Sequence, residues 1–230
     1  MHQILVYGDS LTWGIIPLNR QRLPFPARWP GVLEAGLLAR GLAARITEDC
    51  LNGRRTVFED PFKAGRNGLT GLEQRIEAHS PLDLLILFLG TNDFQAVHQT
   101  TPWQSAQGLA TLVGAVRRAP IEPGMPVPRI LVVAPPPMGV PAGPIAPKFE
   151  GAPERSRGAA AAYAAMARDL GCAWYDAGQA TTSSQVDGVH LDAGQHQRLG
   201  SALVPVVADL LAGDASPRST ASTGPASPRC

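Results

Sequence analysis

Apolar residues fall along the chain in two alternating patterns: short unbroken runs, and longer stretches where they recur every three or four positions. Ile4-Leu5-Val6-Tyr7, Leu84–Leu89 and Arg129–Ala134 are compact runs that predict buried strands, and Ala44–Thr47 and Cys172–Tyr175 bring the number of strands to five. Between them lie helical patterns. Leu33, Leu37 and Leu38 give one face to Trp29–Arg40, and Leu72, Ile76 and His79 mark a shorter helix before Pro81. Leu109, Leu112, Val113 and Val116 follow the i, i+3, i+4, i+7 spacing, and an alanine-rich helix is expected across Pro153–Leu170. Asp192 with Gln195 three residues later reads as the capped start of a last helix, carrying Leu199, Leu203, Val206 and Leu210 inward. Strands interleaved with helices predict an α/β fold: a five-stranded parallel sheet covered on both faces, in three layers.

The first predicted strand runs into Gly8-Asp9-Ser10-Leu11-Thr12-Trp13-Gly14. This places the Ser10 hydroxyl just past a strand's carboxyl end, where open α/β sheets bind ligands. A serine hydroxyl is a poor nucleophile until a base takes its proton. Asp187-Gly188-Val189-His190 offers that base: a carboxylate three residues before an imidazole can reach Nδ1, fix the tautomer and steady the imidazolium. His190 Nε2 would serve first as general base and then as general acid. Asp187 is the expected triad acid, because Asp192 suits the helix cap. An oxyanion also needs preset donors. Leu51-Asn52-Gly53-Arg54 and Gly90-Thr91-Asn92-Asp93 each follow a predicted strand, so the backbone N–H groups of Ser10 and Gly53 and the Asn92 amide are the candidates.

Taken singly, Ser10 reads as readily as a turn serine, Asn92 as a turn residue, Gly53 as a tight bend and His190 as a core or capping histidine. Four such blocks in this order shift the balance to chemistry. Asp9 and Asp93 read as structural, bonding loop N–H groups in the Asx manner. Asp-x-x-His could begin a metal site, but no second His or Cys cluster accompanies it, and no cofactor is expected.

Ser10, Gly53, Asn92 and His190, with the segments around them and Val132-Val133-Ala134-Pro135-Pro136-Pro137, resemble the SGNH (GDSL) hydrolase superfamily. Within it, the motifs are most similar to the bacterial arylesterase and acyltransferase branch. The resemblance spans Ile4 to Leu211 and implies a flavodoxin-like strand order 2-1-3-4-5, a Ser-His-Asp triad of Ser10, His190 and Asp187, and hydrolysis of short-chain esters through an acyl-serine. It also implies acyl transfer to alcohols and perhydrolysis. Asn52-Gly53 departs from the serine-alanine pair of a mycobacterial acyltransferase in that branch, so the balance between water and alcohol as acceptor is open. A carbohydrate deacetylase, a lysophospholipase or a thioesterase would use the same chemistry.

Substrate contacts are expected from Trp13, beside the nucleophile block, and from Phe94, Met138, Phe149, Val189 and Leu191. Loops Ile15–Arg28 and Pro136–Pro153 are expected to cover the site. Their apolar residues Ile15, Ile16, Phe25, Ile145 and Phe149 would be awkward in water, which predicts a homo-oligomer.

Composition adds bounds. The 230 residues suit one domain over 1–213, followed by a Ser/Pro/Ala-rich tail over 214–230 that should be flexible. A formal net charge of +1 gives no general pull toward nucleic acid or acidic membranes. No run approaches the ~18 apolar residues of a membrane span. Cys50, Cys172 and Cys230 form no C-x-x-C motif, and Met1-His2-Gln3 leads straight into a strand, so free thiols and a cytoplasmic setting are expected.

Overall fold

In the computed structural model, residues 1–213 are described; the expected tail 214–230 lies outside them. Each predicted apolar run is a strand. In chain order the main elements are β1 (His2–Gly8), α1 (Ser10–Trp13), α2 (Trp29–Ala39), β2 (Ala44–Cys50), α3 (Leu72–His79) and β3 (Leu84–Phe88). There follow α4 (Pro102–Arg118), β4 (Arg129–Ala134), α5 (Ala152–Arg155), α6 (Ala159–Asp169), β5 (Ala173–Asp176) and α7 (Ala193–Ala212). The strands form one parallel sheet in the order β2-β1-β3-β4-β5. The chain therefore reverses direction across the sheet at β1, the position where such sheets open a crevice.

Alternation along β1 divides the core. Ile4 and Val6 face one way and pack with Trp29, Leu33 and Leu37 of α2 and with Leu199, Leu203, Val207 and Leu211 of α7. Leu5 and Tyr7 face the other way, with Leu109, Leu112 and Val116 of α4 and Tyr163 of α6. Trp29 meets Phe88 edge-on at 5.7 Å between ring centroids. Helix α7 opens with the predicted box: Asp192 Oδ1 accepts from Gln195 N–H at 3.0 Å, and Gln195 Oε1 accepts from Asp192 N–H at 2.7 Å.

Several helical expectations need correction: Leu38 of α2 and His79 of α3 are exposed and do not join the buried faces of their helices. The Pro153–Leu170 helix is broken after Arg155, because the chain turns through Gly158 at φ +88°, a conformation open to glycine. In α7 the deepest stripe is Leu199, Leu203, Val207 and Leu211 at i, i+4 steps, whereas Val206 and Leu210 are only partly buried beside it. Among the described residues, no helix is long and apolar enough to cross a membrane.

Candidate active site

Strand register brings the motif residues together. Gly8 at the end of β1 pairs with Cys50 at the end of β2 and with Phe88 at the end of β3. Ser10, Gly53 and Asn92 therefore leave three adjacent strand ends and meet at one rim of the sheet. Ser10, Gly53, Asn92 and His190 line a single cavity of about 290 Å³.

The turn carrying Ser10 is set by its neighbours. Asp9 caps α1, its Oδ1 accepting from Leu11 N–H at 2.8 Å. A Cβ on Gly8 would lie 2.5 Å from Thr12 Oγ1, so only glycine lets strand and turn approach this closely. Ser10 is 6% exposed. Among the described residues, neither the Ser10 N–H nor the Gly53 N–H donates to a protein acceptor, which leaves both free for an oxyanion.

Asn92 is held differently. Its Nδ2 donates to Asp9 Oδ2 at 2.9 Å and to the Arg54 carbonyl at 3.1 Å, while its Oδ1 accepts from Gln95 Nε2 at 2.8 Å. The amide thus faces the Ser10 turn with both hydrogens engaged. Burial pushes the Asp9 carboxyl up to about 7, against the hydrogen bonds from Leu11 and Asn92 and the charge of Arg54. Arg54 is itself buried, spanning the Gly8 and Asp49 carbonyls and the Asp49 carboxylate.

Asp93 is the hub beneath. Its carboxylate accepts from Thr56 N–H at 3.0 Å, Thr56 Oγ1 at 2.8 Å and Ser105 Oγ at 2.6 Å, and Arg55 lies at 3.6 Å. Ser105 Oγ in turn meets Tyr163 Oη at 2.5 Å. Asp93 therefore ties the Asn92 turn to the loop after Gly53 and to two helices. That is a long-range role, where a local Asx turn was expected.

The histidine loop is braced from the segment that follows β4, where the Gly139 and Ala142 N–H groups donate to the Gly188 and Asp187 carbonyls. Asp187 Oδ2 lies 2.7 Å from His190 Nδ1, and Asp187 Oδ1 accepts from the N–H groups of Val189 at 3.0 Å and His190 at 2.9 Å. Burial raises the Asp187 pKa, but these hydrogen bonds and the His190 charge outweigh it and hold the carboxyl below its ordinary range. Gly188 has φ +73°, and a Cβ there would meet the Val140 carbonyl at 2.2 Å. His196, one turn into α7, accepts Trp29 N–H on Nδ1 at 3.2 Å; burial pushes its pKa down to about 3.

The expected substrate contacts separate into groups. Phe149 lines the Ser10–His190 cavity with Ile15, Pro144 and Ile145, so both covering loops reach it. Phe94 and Met138 line a second cavity of about 270 Å³, bounded by Thr91, Pro135 and Pro136. Val189 packs in the small cluster of Phe94, Phe149 and Ala152 and does not line the Ser10–His190 cavity. Leu191 is 0% exposed in the α2–α7 core, so it is an interior residue: one residue past His190, its side chain turns into the packed layer. Trp13 stands outside the cavity wall, with the Arg22 guanidinium 4.9 Å over its ring. Asn52, from the block that carries Gly53, also lines the cavity, as do Arg20, Lys63 and Lys148, which had no sequence signal because none of them belongs to a motif block.

The chain matches the model of the GDSL-like lipase/acylhydrolase family over residues 6–198. It is similar to the inhibitor-bound aryl esterase of M. smegmatis, at 34% identity over 91% of this chain and 100% of that one, with a TM-score of 0.86. A carbohydrate acetylesterase from Sinorhizobium meliloti is 37% identical over the same shares, with a TM-score of 0.86. A putative arylesterase from Agrobacterium tumefaciens is 40% identical over 91% and 100%, with a TM-score of 0.83. No curated protein matches the chain.

Proposed function

The chain belongs to the GDSL-like lipase/acylhydrolase family, with the esterase and acylhydrolase function of that family, and from that premise we propose a serine esterase that cleaves short-chain esters through an acyl-Ser10 intermediate. The observation that carries this reading is the buried His190–Asp187 pair at 2.7 Å, with His190 and Ser10 on one cavity.

His190 Nε2 takes the Ser10 proton as Oγ attacks the ester carbonyl. The oxyanion rests on the free Ser10 and Gly53 N–H groups. Asn92 adds a third donor when its planar amide rotates as a unit, releasing the Arg54 carbonyl and pointing that hydrogen toward the oxyanion. His190 then protonates the departing alkoxide, and an acyl-serine is left. Water completes hydrolysis; an alcohol or hydrogen peroxide gives transesterification or a peracid. The apolar side of the cavity, formed by Ile15, Pro144, Ile145 and Phe149, supports competition by alcohols, since it offers the alcohol's apolar group a surface that water does not use. The test is an assay in buffer with vinyl acetate and benzyl alcohol, using Ser10→Ala as control. Benzyl acetate outrunning acetate is the expected result; acetate alone would reduce the reading to plain hydrolysis.

Asn52 favours a second reading, carbohydrate deacetylation. Its buried Oδ1 lacks a partner and lines the cavity, where it would accept a sugar hydroxyl. Activity on an acetylated monosaccharide that falls in Asn52→Ala would favour it. Ile15 and Phe149, expected to need a covering subunit, are buried within the chain and Ile16, Phe25 and Ile145 are half-buried, so the proposed homo-oligomer rests instead on exposed Leu18, Phe62 and Val140, and light scattering checks it.

A further inference from the structure

The wall of the catalytic cavity carries three cationic side chains, Arg20, Lys63 and Lys148, and no carboxylate. A fourth, Arg66, lies beside Gly53: a Cβ on that glycine would be 3.8 Å from Arg66 Nε, which donates to the Asn52 carbonyl at 3.0 Å. One acid answers them, Asp60, 3.7 Å from Lys148. Among the described residues Arg20 and Lys63 make no ion pair. The segment bearing Arg20 is held over the cavity at a conformational cost: Leu18 and Arg20 sit at φ +60° and +62°, and Arg20 N–H donates to the Ile16 carbonyl at 2.9 Å. Lys63 feels the crowding, its pKa lowered by burial and then by Arg66, Lys148 and Arg20 in turn, with Asp60 opposing.

Uncompensated like charges at a cavity mouth repel one another and are relieved by an anion. We infer that the enzyme prefers esters bearing an anionic group, a carboxylate or a phosphate, remote from the scissile carbonyl, which Arg20 and Lys63 receive at the cavity rim. This inference rests on the esterase reading. The rim residues recognise the remote charge while Ser10 and His190 act on the ester. A net charge of only +1 over the chain makes the concentration of cations at this one mouth a local feature.

The test compares kcat/KM for 4-acetoxybenzoate and its neutral methyl ester, each normalised to its own alkaline hydrolysis rate, at low and high salt. The expected result is a roughly tenfold preference for the anion at low salt that shrinks as salt screens the exposed cations. Arg20→Gln with Lys63→Gln should bring the ratio toward one. A wild-type ratio of one or less, or a preference that salt leaves unchanged, overturns the inference without any variant. If neither ester is cleaved, the esterase reading fails. Calorimetry with 4-hydroxybenzoate against methyl 4-hydroxybenzoate then decides: binding of the anion alone, weakened in the double variant, upholds the cationic rim, and equal or no binding overturns it.

Discussion

Asn92 donates its side-chain N–H to Asp9 at 2.9 Å, joining the turn after β3 to the residue that precedes the nucleophile. The same carboxylate accepts from Leu11 N–H, so one buried acid sets both the Ser10 turn and the Asn92 amide. In Asp9→Asn an amide N–H₂ would face another, or the Leu11 N–H would lose its acceptor. We expect kcat to fall by roughly 10- to 100-fold with little change in KM, the mark of misplaced rather than missing groups. Steady-state kinetics with an aryl acetate checks this.

Asp187→Asn should cost more. The carboxylate orients the His190 ring through Nδ1 and anchors the loop through two N–H groups. A neutral amide permits the wrong tautomer, and the expected loss in kcat is about 10²- to 10⁴-fold. A variant within threefold of wild type would remove Asp187 from the triad.

Asp93→Ala acts on stability first. Three donors lose their acceptor and Arg55, 2% exposed, loses its paired carboxylate and keeps only the charge of Asp60. Breaking a buried pair this way costs about 3–5 kcal/mol, which urea denaturation measures.

His196 sets an acid limit. Its folded pKa of about 3 lies below the 6.5 of an ordinary histidine. The unfolded chain therefore takes up the proton first, and stability present above pH 6.5 drains away as pH falls toward 3. His196→Gln keeps an acceptor for Trp29 N–H and removes the titration. Its loss of unfolding free energy between pH 7 and pH 5 should be smaller than wild type's by about 1–2 kcal/mol.

How far the molecule was legible follows from where each signal resides. Strands could be read because buried parallel strands are short apolar runs, and β4 coincides with the predicted Arg129–Ala134; their order came from the family resemblance. Ser10, Gly53 and Asn92 were legible because each follows such a run. The break before α6 was not, since the helix-forming Glu154-Arg155 before Gly158 and the alanine run after it read as one continuous helix. Nor was the Asp93 hub: Thr56 lies 37 residues away, and Ser105 and Tyr163 lie 58 apart, so only the tertiary fold pairs them. Val189 and Leu191 flank His190 in sequence but enter different layers, which adjacency to a motif could not foretell.

The central claim is that Ser10 becomes acylated. Intact-mass and peptide mass spectrometry after brief incubation with 4-nitrophenyl acetate, quenched in acid, tests it directly. One acetyl group on the Ser10 peptide, absent from Ser10→Ala and persisting longer in His190→Ala if formed at all, is the predicted result. Turnover in wild type with no adduct on Ser10, or undiminished turnover in Ser10→Ala, would contradict it.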